Sequence, residues 1–353
     1  MSEIDKLYIA ATGMITPVGF NTQMTAAAVN AGMSAYAESD YYNKKDKPMT
    51  AAFVPDDALP ELKDELQTVG LKADEERMIR LSHIALSEIA PSLPKDTPIP
   101  LFLAGPENIP ARPSPITTKL IQSIQIQSDL QIDIESSRYI AAGRAGVIKA
   151  IDLAFKYLSV TDATCVLVGG VDSYNNTGLI SHLDVEDRIL ALNFADGFAL
   201  GEAASFLLLA KMQHKSFLPV TVSQPGLSQE EGHRYSDSPY RGDGLTQAVG
   251  QALHYSGFPK IEHIYSSMNG ENFFVKELGV LSIRHAKHLQ EGYQVNHPAD
   301  CYGDIGAATG AVLIGLSAIE LVNKSKGVNH MVCCSSDMAE RGVVCVSALS
   351  RGV

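Results

Sequence analysis

The chain has 353 residues, of which 45% are hydrophobic and 19% are charged. This length allows a large buried core, built as one big domain or as two fused halves. The formal net charge of -12 argues against a nucleic-acid surface or an anionic membrane as the main partner. The first residues do not resemble a secretory signal, and no apolar run has membrane-spanning length, so we expect a cytoplasmic protein without a membrane span.

The cysteines and histidines indicate neither disulfides nor a metal site. Five cysteines are present, and most of them lie within apolar runs: Cys165, Cys301, Cys333, Cys334 and Cys345. An odd number in such runs favours reduced, buried thiols. Neither residue type has the spacing of zinc ligands, and Gly-rich phosphate-binding loops are absent. We therefore expect no metal and no cofactor.

The first hundred or so residues predict alternating strands and helices. Apolar runs predict strands, helical periodicity predicts helices, and polar composition predicts a loop. The strands are at 7–11 and 101–104, the helices at 24–31, 75–90 and 116–126, and the loop at 36–48.

The segment from 137 to 173 is the most regular part of the chain. It predicts the end of a strand, then a turn at 141–146, and then a helix that begins at Val147. All residues of the turn except Arg144 are alanine or glycine. The continuous apolar strand 165–168 follows and is closed by two glycines, as in a sheet buried on both faces. Many enzymes hold a nucleophile at the N-terminus of a helix that follows such a turn. We call residues 141–146 the first elbow.

The remainder of the chain repeats the alternation. The predicted elements are a loop at 178–190, a strand at 205–210, a polar exposed linker at 224–244, helices at 245–256, 275–285 and 307–322, and strands at 261–266, 331–334 and 342–347. Helices and buried strands that alternate twice over indicate an α/β fold, although the letters show no internal repeat.

Four segments carry a family pattern. They read TGMITPVG at 12–19, AGRAG at 142–146, DGFALGEAA at 196–204 and GDIGAATGA at 303–311. Together they resemble β-ketoacyl synthases, which belong to the thiolase-like superfamily. The resemblance implies a thiolase-like fold of two similar halves, residues 1–215 and 216–353, in α-β-α-β-α layers. It also implies a homodimer formed through the sheet edges of the N-terminal half.

The residues that perform catalysis in this family are replaced here. Members condense acyl units with a cysteine at the elbow, two histidines and a supporting lysine. The matching positions hold Gly143 or Arg144 for the cysteine, Asn269 and Asp304 for the histidines, and Ala299 for the lysine. A carboxylate at position 304 would repel both a malonyl carboxylate and the enolate that its decarboxylation produces. The resemblance therefore implies a catalytically degenerate site, although an asparagine can still line an oxyanion hole.

Two residues are candidates for a relocated nucleophile. Cys301 lies three residues before Asp304, and Ser137 lies on the segment that enters the elbow. A buried structural role is the simpler interpretation of both, because no helix N-terminus is predicted beneath Cys301 and a serine would need a general base in reach.

Three functions remain open at this point. The first is an accessory or interaction protein, similar to a chain-length factor or to thiolase-like proteins associated with bacterial secretion-effector loading. The second is an acyltransferase of fatty-acid or polyketide type that uses relocated residues. The third is a module that binds an acyl or pantetheine group. The partners expected are a second copy or a related protein as a dimer, with an acyl carrier protein or a secretion effector as further candidates.

Overall fold

The computed structural model describes residues 4–95, 97–110, 112, 119–192, 194, 196–323 and 328–349. Within these residues the strands are β1 (Lys6–Ile15), β2 (Ala37–Tyr42), β3 (Pro48–Ala51), β4 (Leu101–Gly105), β5 (Arg138–Ala141), β6 (Cys165–Ser173), β7 (Glu202–Ala210), β8 (Val220–Ser223), β9 (Gly226–Gln229), β10 (Ile261–Ser266), β11 (Leu289–Asn296), β12 (Asn329–Ser335) and β13 (Glu340–Ala348). The helices are α1 (Thr22–Asn30), α2 (Asp64–Gln67), α3 (Ala73–Ile89), α4 (Lys119–Ser128), α5 (Gly146–Val160), α6 (Thr177–Val185), α7 (Asp243–Ser256), α8 (Asn272–Arg284), α9 (Ala299–Tyr302) and α10 (Thr309–Asn323).

Eleven strands of the described residues form one mixed sheet with an internal repeat. Five of them follow the order β5-β4-β6-β7-β1, and five follow β11-β10-β12-β13-β8. In both sets the first two pairings are parallel and the last two are antiparallel. The sets are joined where β1 pairs with β8, and β9 adds to β13. The same fold unit is therefore used twice.

Side-chain alternation along each strand divides the interior into layers. On β4, Leu101 and Leu103 belong to the core cluster that contains residues of α3 and α4, whereas Phe102 and Ala104 belong to the cluster that contains residues of α5. Successive side chains of a strand point to opposite faces, so β4 is buried on both sides. This arrangement explains why the strand reads as a continuous apolar run.

The C-terminal five strands show the same division. On β12, Met331 and Cys333 pack in the cluster that contains α7, and Val332 and Cys334 pack in the cluster that contains α10. Helices α5 and α10 share one central core with the inner faces of both sets of strands. The layers are therefore α-β-α-β-α, as the sequence predicted.

The glutamate of the DGFALGEAA segment supports the scaffold. Glu202 is fully buried and accepts hydrogen bonds from the Arg77 guanidinium at 2.5 and 2.6 Å, from the Val54 N–H at 2.8 Å and from the Ser173 hydroxyl at 2.7 Å. Both carboxylate oxygens of Glu202 thus connect α3, β6 and β7. The DGFALGEAA segment therefore has a structural role.

Three predicted loops contain regular structure. The segment 36–48 forms most of the β2–β3 hairpin, whose exposed polar side chains concealed the strand pattern. The segment 178–190 contains most of α6, which begins where the Asn176 side chain accepts a hydrogen bond from the Leu179 N–H. The linker 224–244 contains β9, which is paired with β13. Strand β11 was missed because most of its side chains are exposed or half-buried.

Other predicted bounds shift at their ends. Helix α4 covers most of the predicted helix 116–126, and residues 116–118 lie outside the described residues. Strand β6 does not end at Gly169 and Gly170 but continues through them. Glycine is needed at both positions because neighbouring groups approach the backbone closely there. An added Cβ would come within 2.2 Å of the Phe206 ring at Gly169 and within 2.1 Å of the Ala307 carbonyl at Gly170.

One helical segment of the described residues, Gly306–Asn323, has the length and apolar composition of a membrane-crossing helix. The sequence analysis expected no apolar run of that length. This segment is 83% buried and packs as α10 between the two sets of strands, which makes it a core helix. The predicted division between residues 215 and 216 falls in the connection between β7 and β8.

Candidate functional site

Two equivalent elbows face each other at the centre of the molecule. The first elbow leads from β5 into α5, and the second, residues 303–308, leads from α9 into α10. Each contains a short 3-10 turn that begins with a left-handed glycine, Gly143 with φ 52° and Gly306 with φ 51°. Such left-handed conformations are readily adopted only by glycine, which accounts for this residue at both turns.

Arg144 lies at the head of α5, in the first elbow. Its side chain is 3% exposed and binds Asp304 of the second elbow through Nε at 2.9 Å and Nη2 at 2.5 Å. Its Nη1 donates to Asp337 at 3.0 Å, and the guanidinium lies 4.8 Å from the centre of the Phe274 ring. Two carboxylates and an aromatic face therefore fix this arginine.

The contacts continue through a second buried arginine. Arg188 donates to Asp337 at 2.8 and 3.0 Å and to Glu271 at 2.8 and 2.9 Å. The Asn269 amide donates to Asp304 at 2.8 Å and to Glu271 at 3.1 Å. The six side chains form what we call the ion-pair network: Arg144, Arg188, Asn269, Glu271, Asp304 and Asp337.

The network holds Arg144 and Asp337 in their charged forms although they are buried. Burial alone would raise the pKa of Asp337, but the charges of Arg188 and Arg144 outweigh it and hold that pKa well below the ordinary value. Burial alone would lower the pKa of Arg144, whereas Asp304 and Asp337 raise it well above the ordinary value. Neither Arg144 nor Asp337 therefore exchanges a proton near neutral pH in this environment.

Glu107 lies beside the network and has a strongly raised pKa. Its oxygens accept hydrogen bonds from the N–H groups of Asp337 at 3.0 Å and Met338 at 2.9 Å. Burial, followed by the charge of Asp337, raises the pKa of Glu107 to about 7. Glu107 therefore changes charge near neutral pH, where Arg144 and Asp337 do not.

A second ion pair borders the same space. Arg112 donates to Asp172 at 2.9 Å, and the other oxygen of Asp172 accepts from the Ala307 N–H at 3.0 Å. The cavity between this pair, Arg144 and Glu107 has a volume of about 10 Å³. That volume holds about one water molecule. The described residues leave no room there for an acyl chain.

The sequence-predicted positions divide into two groups. Arg144, Asn269 and Asp304 are in direct contact, and Gly143 supplies the turn beside them. Ala299 lies outside the network at the start of α9, where its carbonyl accepts from the Tyr36 hydroxyl at 2.7 Å. The structure thus brings Arg144, Asn269 and Asp304 together without Ala299.

The two candidate relocated nucleophiles lie in structural surroundings. Cys301 packs in the central core, and burial together with the charge of Asp300 raises the pKa of its thiol. The Ser137 hydroxyl donates to the Asp133 carbonyl at 2.6 Å and accepts from the Leu101 N–H at 2.9 Å. A thiol in such surroundings is protonated, and this hydroxyl is bonded in both directions.

A hydroxyl from another loop contacts the head of α5. The Ser336 Oγ accepts from the Ala145 N–H at 3.0 Å and donates to the Ala142 carbonyl at 2.6 Å. The nearby Cys334 is fully buried, which raises the pKa of its thiol to about 12. Among the described residues, the helix N-terminus is therefore occupied by structural hydrogen bonds rather than by a thiolate.

Four residues of this site were not singled out by the sequence. Arg188, Glu271 and Asp337 belong to the ion-pair network, and Glu107 lies beside it. The only sign of them in the sequence was a charged residue beside apolar or small residues. Glu271 also follows Asn269 by two positions.

Comparisons with known proteins define the class by its structure. No family model and no curated protein matches the sequence. A chain from the complex of the ketosynthase ApeO with its chain length factor ApeC from Xenorhabdus doucetiae superposes with a TM-score of 0.75 at 16% identity, covering 97% of this chain and 98% of that one. The match spans both halves, so the protein has a thiolase-like fold.

Further structures narrow the fold to its ketosynthase form. The ishigamide ketosynthase/chain length factor matches with a TM-score of 0.73 at 17% identity, over 98% of this chain and 100% of that one. The ketosynthase from module 6 of the bacillaene synthase of Bacillus subtilis 168 matches with a TM-score of 0.76 at 12% identity, over 98% of this chain and 72% of that one. The predicted resemblance to β-ketoacyl synthases is therefore confirmed at the level of the fold.

Proposed function

We propose that this protein is a non-condensing ketosynthase-fold protein that acts as the accessory partner of an active ketosynthase, in the manner of a chain length factor. The supporting observation is the ion-pair network. It directly joins Arg144, Asn269 and Asp304, which are residues that the family resemblance matches to the cysteine and histidines of a condensing enzyme. The proposal extends to the cytoplasm as the place of action, where thiols stay reduced.

The charges at the site oppose condensation. Decarboxylation of a malonyl unit develops negative charge, which requires hydrogen-bond donors whose capacity is free. Here Arg144 and Arg188 already bind the carboxylates of Asp304, Asp337 and Glu271. A substrate carboxylate would therefore meet arginines that are already neutralised, together with fixed negative charges.

The other candidate functions find less support at this site. An acyltransferase with relocated residues needs an activated nucleophile, whereas Cys301 and Ser137 are held in structural contacts. A module that binds acyl or pantetheine groups needs a long cavity, whereas the space beside Arg144 has a volume of about 10 Å³. Both observations favour the accessory role.

A dimer with a related protein fits the sheet. Strand β5 (Arg138–Ala141) lies at one edge of the main sheet of the described residues, so its outer side can pair with a partner strand. The solved complexes with similar chains pair a ketosynthase with a chain length factor. We propose an equivalent pairing here, through the edge of the N-terminal half, with a homodimer as the alternative assembly.

Intact-mass spectrometry tests the loss of chemistry. The purified protein is incubated with acyl and malonyl thioesters of an acyl carrier protein, with an active ketosynthase as the positive control. We expect the protein mass to stay unchanged and no decarboxylation of the malonyl thioester, because no described site residue supplies an activated nucleophile. A stable acyl adduct on Cys301 or Ser137 would establish the relocated-residue enzyme instead.

Affinity purification from the source cell tests the partner. We expect a ketosynthase that carries the cysteine and both histidines, in equal amounts with this chain. Activity of the isolated ketosynthase is then measured with and without this chain, and we expect it to require or to be altered by the addition. Recovery of a secretion effector in place of a ketosynthase would contradict the chain-length-factor role, and recovery of this chain alone would contradict an accessory role.

A further inference from the structure

Two imidazoles and a carboxylate lie together at the end of α10 that is remote from the elbows. His263 is on β10, His330 is on β12 and Glu320 is in the last turn of α10. One ligand atom from each lies within 4.8 Å of the others. Glu320 follows the first residue of α10 by a helix length of about 17 Å, so this cluster is separate from the ion-pair network.

Strand register brings the two histidines together. Strands β10 and β12 are parallel neighbours in which the Cα of His263 is paired with that of His330. Paired residues project to the same face of a sheet, and here that face is the inner one, because Tyr265 and Val332, each two residues further on, lie in the central core. The imidazole rings are 4.7 Å apart between their centres.

We propose that His263, Glu320 and His330 bind one divalent metal ion of the zinc class. Two neutral imidazole nitrogens and one carboxylate oxygen are the ligand set of many zinc sites, with a water molecule as the fourth ligand. Zinc–ligand bonds of that kind place the ligand atoms about 3.3 Å from each other. His263 Nδ1 and Glu320 Oε1 are already 3.8 Å apart, so rotation of side chains suffices.

Neighbouring hydroxyls orient two of the ligands. The Ser317 hydroxyl lies 2.9 Å from His330 Nδ1 and can accept a hydrogen bond from it, and in that tautomer Nε2 is the nitrogen that serves as the ligand. The Tyr265 hydroxyl donates to the second oxygen of Glu320, which leaves Oε1 facing His263. At metal sites, hydrogen bonds between the ligand side chains and neighbouring groups fix the ring tautomer and the orientation of the carboxylate.

The position of the cluster indicates how an ion would reach it and how a bound ion would affect the fold. The side chain of Glu320 is 22% exposed, whereas His263 and His330 are buried, so an ion can enter from the Glu320 side. A bound ion would connect α10 with β10 and β12, three elements that are distant in sequence. It would stabilise the folded state, since the unfolded chain lacks a formed site.

Metal titration of the full chain tests the site. The protein is freed of metal with a chelator, and Zn²⁺ is then added in competition with a chromophoric chelator. We expect one equivalent to bind, with affinity falling as the pH falls because protons compete for the ligands. Co²⁺ in place of Zn²⁺ should give visible absorption bands that report the bound nitrogen and oxygen ligands.

Variants at the cluster make the test specific. We expect Glu320→Gln and His330→Asn each to weaken Zn²⁺ binding by at least about tenfold, and His254→Gln, an exposed histidine of α7, to leave it unchanged. Glu320→Gln retains an oxygen acceptor for Tyr265 and is half-buried, so it decides the matter if His330→Asn fails to fold. Equal binding by wild type and Glu320→Gln, or binding of less than half an equivalent, would overturn the proposal whatever the outcome for the accessory role.

Discussion

A single arginine determines what the head of α5 can do. Arg144 places a positive charge in the elbow that leads into α5, and its charge is balanced by Asp304 and Asp337. Buried ion pairs contribute little net stability compared with apolar packing, but removing one partner leaves an uncompensated charge. Single substitutions in the network should therefore destabilise the fold strongly, even though the complete network contributes little net stability.

Substitution of Arg144 by methionine should be strongly destabilising. Arg144→Met keeps much of the side-chain volume but leaves Asp304 and Asp337 without one of their cationic partners. We expect the free energy of unfolding to fall by about 3–5 kcal/mol, measured by urea denaturation with linear extrapolation.

A surface ion pair provides the matched control for that change. Lys156 and Asp152 form an i,i+4 pair on α5, and the Lys156 side chain is 68% exposed. Lys156→Met should lower the free energy of unfolding by at most about 0.5 kcal/mol. If Arg144→Met and Lys156→Met prove equally mild, the network does not stabilise the elbows as we describe.

Glu107 should give the protein a pH dependence of its own. Burial, followed by the charge of Asp337, raises its pKa from an ordinary 4.5 to about 7. The folded chain therefore binds more protons than the unfolded chain between these values. The stability contributed by this group is complete below about pH 4.5 and is lost as the pH rises to about 7.

The Glu107→Gln variant isolates this effect. Relative to wild type, its free energy of unfolding should improve by roughly 3 kcal/mol between pH 5 and pH 8, because glutamine does not ionise. The reference is Glu291→Gln, at an exposed position of β11, whose profile should run parallel to wild type. Parallel profiles for both variants would show that Glu107 does not titrate in this range.

At the residue scale, the sequence predicted positions that belong to aligned motifs. Arg144 and Asp304 could be placed because they lie directly beside glycines of the elbows, and Asn269 because it lies beside Gly270 in a loop that follows a predicted strand. Arg188 could not, because its network partners Glu271 and Asp337 lie 83 and 149 residues further along the chain. Pairing over such distances depends on the assembled fold and not on any local pattern.

The two elbows act as matched turns at the scale of elements. Gly306 has φ 51°, and a Cβ there would come within 2.1 Å of Asp172 Oδ2, an atom that accepts the Ala307 N–H bond. Gly32 has φ 65° but no atom within 4 Å of the same position. Substitutions at Gly32 and Gly306 therefore distinguish the cost of a left-handed backbone from the added cost of a steric clash.

Alanine at these glycines should have unequal effects. We expect Gly32→Ala to lower the free energy of unfolding by about 1 kcal/mol, from the left-handed backbone alone. Gly306→Ala should lower it by about 3 kcal/mol or more, since it also displaces Asp172. Thermal and urea unfolding of both variants measure the difference, and similar losses would mean that the second elbow can relax around an added methyl group.

The elements that could be predicted are those whose burial gives the sequence a long apolar run or apolar residues at helical spacing. Strands β4 and β10 and helices α3, α5 and α10 read correctly because long apolar runs or helical periodicity define them. The β2–β3 hairpin and β11 were missed because they carry polar side chains at a surface, where pairing of backbone groups and not burial decides the structure.

Across the whole molecule, the two halves share one core. Helix α5 belongs to the first half and α10 to the second, and both pack in the cluster between the two sets of strands. Strands β1 and β8 also pair across the division. Neither half can bury its inner face without the other, so the molecule should unfold in a single cooperative transition.

Expression of the halves tests this dependence. Residues 1–215 and 216–353, produced separately, should lack fixed tertiary structure, because each would expose the apolar face of its central helix and strands. Near-ultraviolet circular dichroism and binding of a hydrophobic dye report the loss, and mixing the halves should restore part of the native signal. A sharp unfolding transition of residues 1–215 alone would contradict the shared core.

The reciprocal binding of Arg144 and Asp304 also restricts how the protein can evolve. A cysteine at position 144 alone would leave the negative charge of Asp304 in the interior without its arginine, and a histidine at position 304 alone would leave Arg144 without that carboxylate. Either change made first therefore passes through an intermediate that folds poorly, whereas changes at the surface remain open. Selection on stability alone would for this reason retain both residues together.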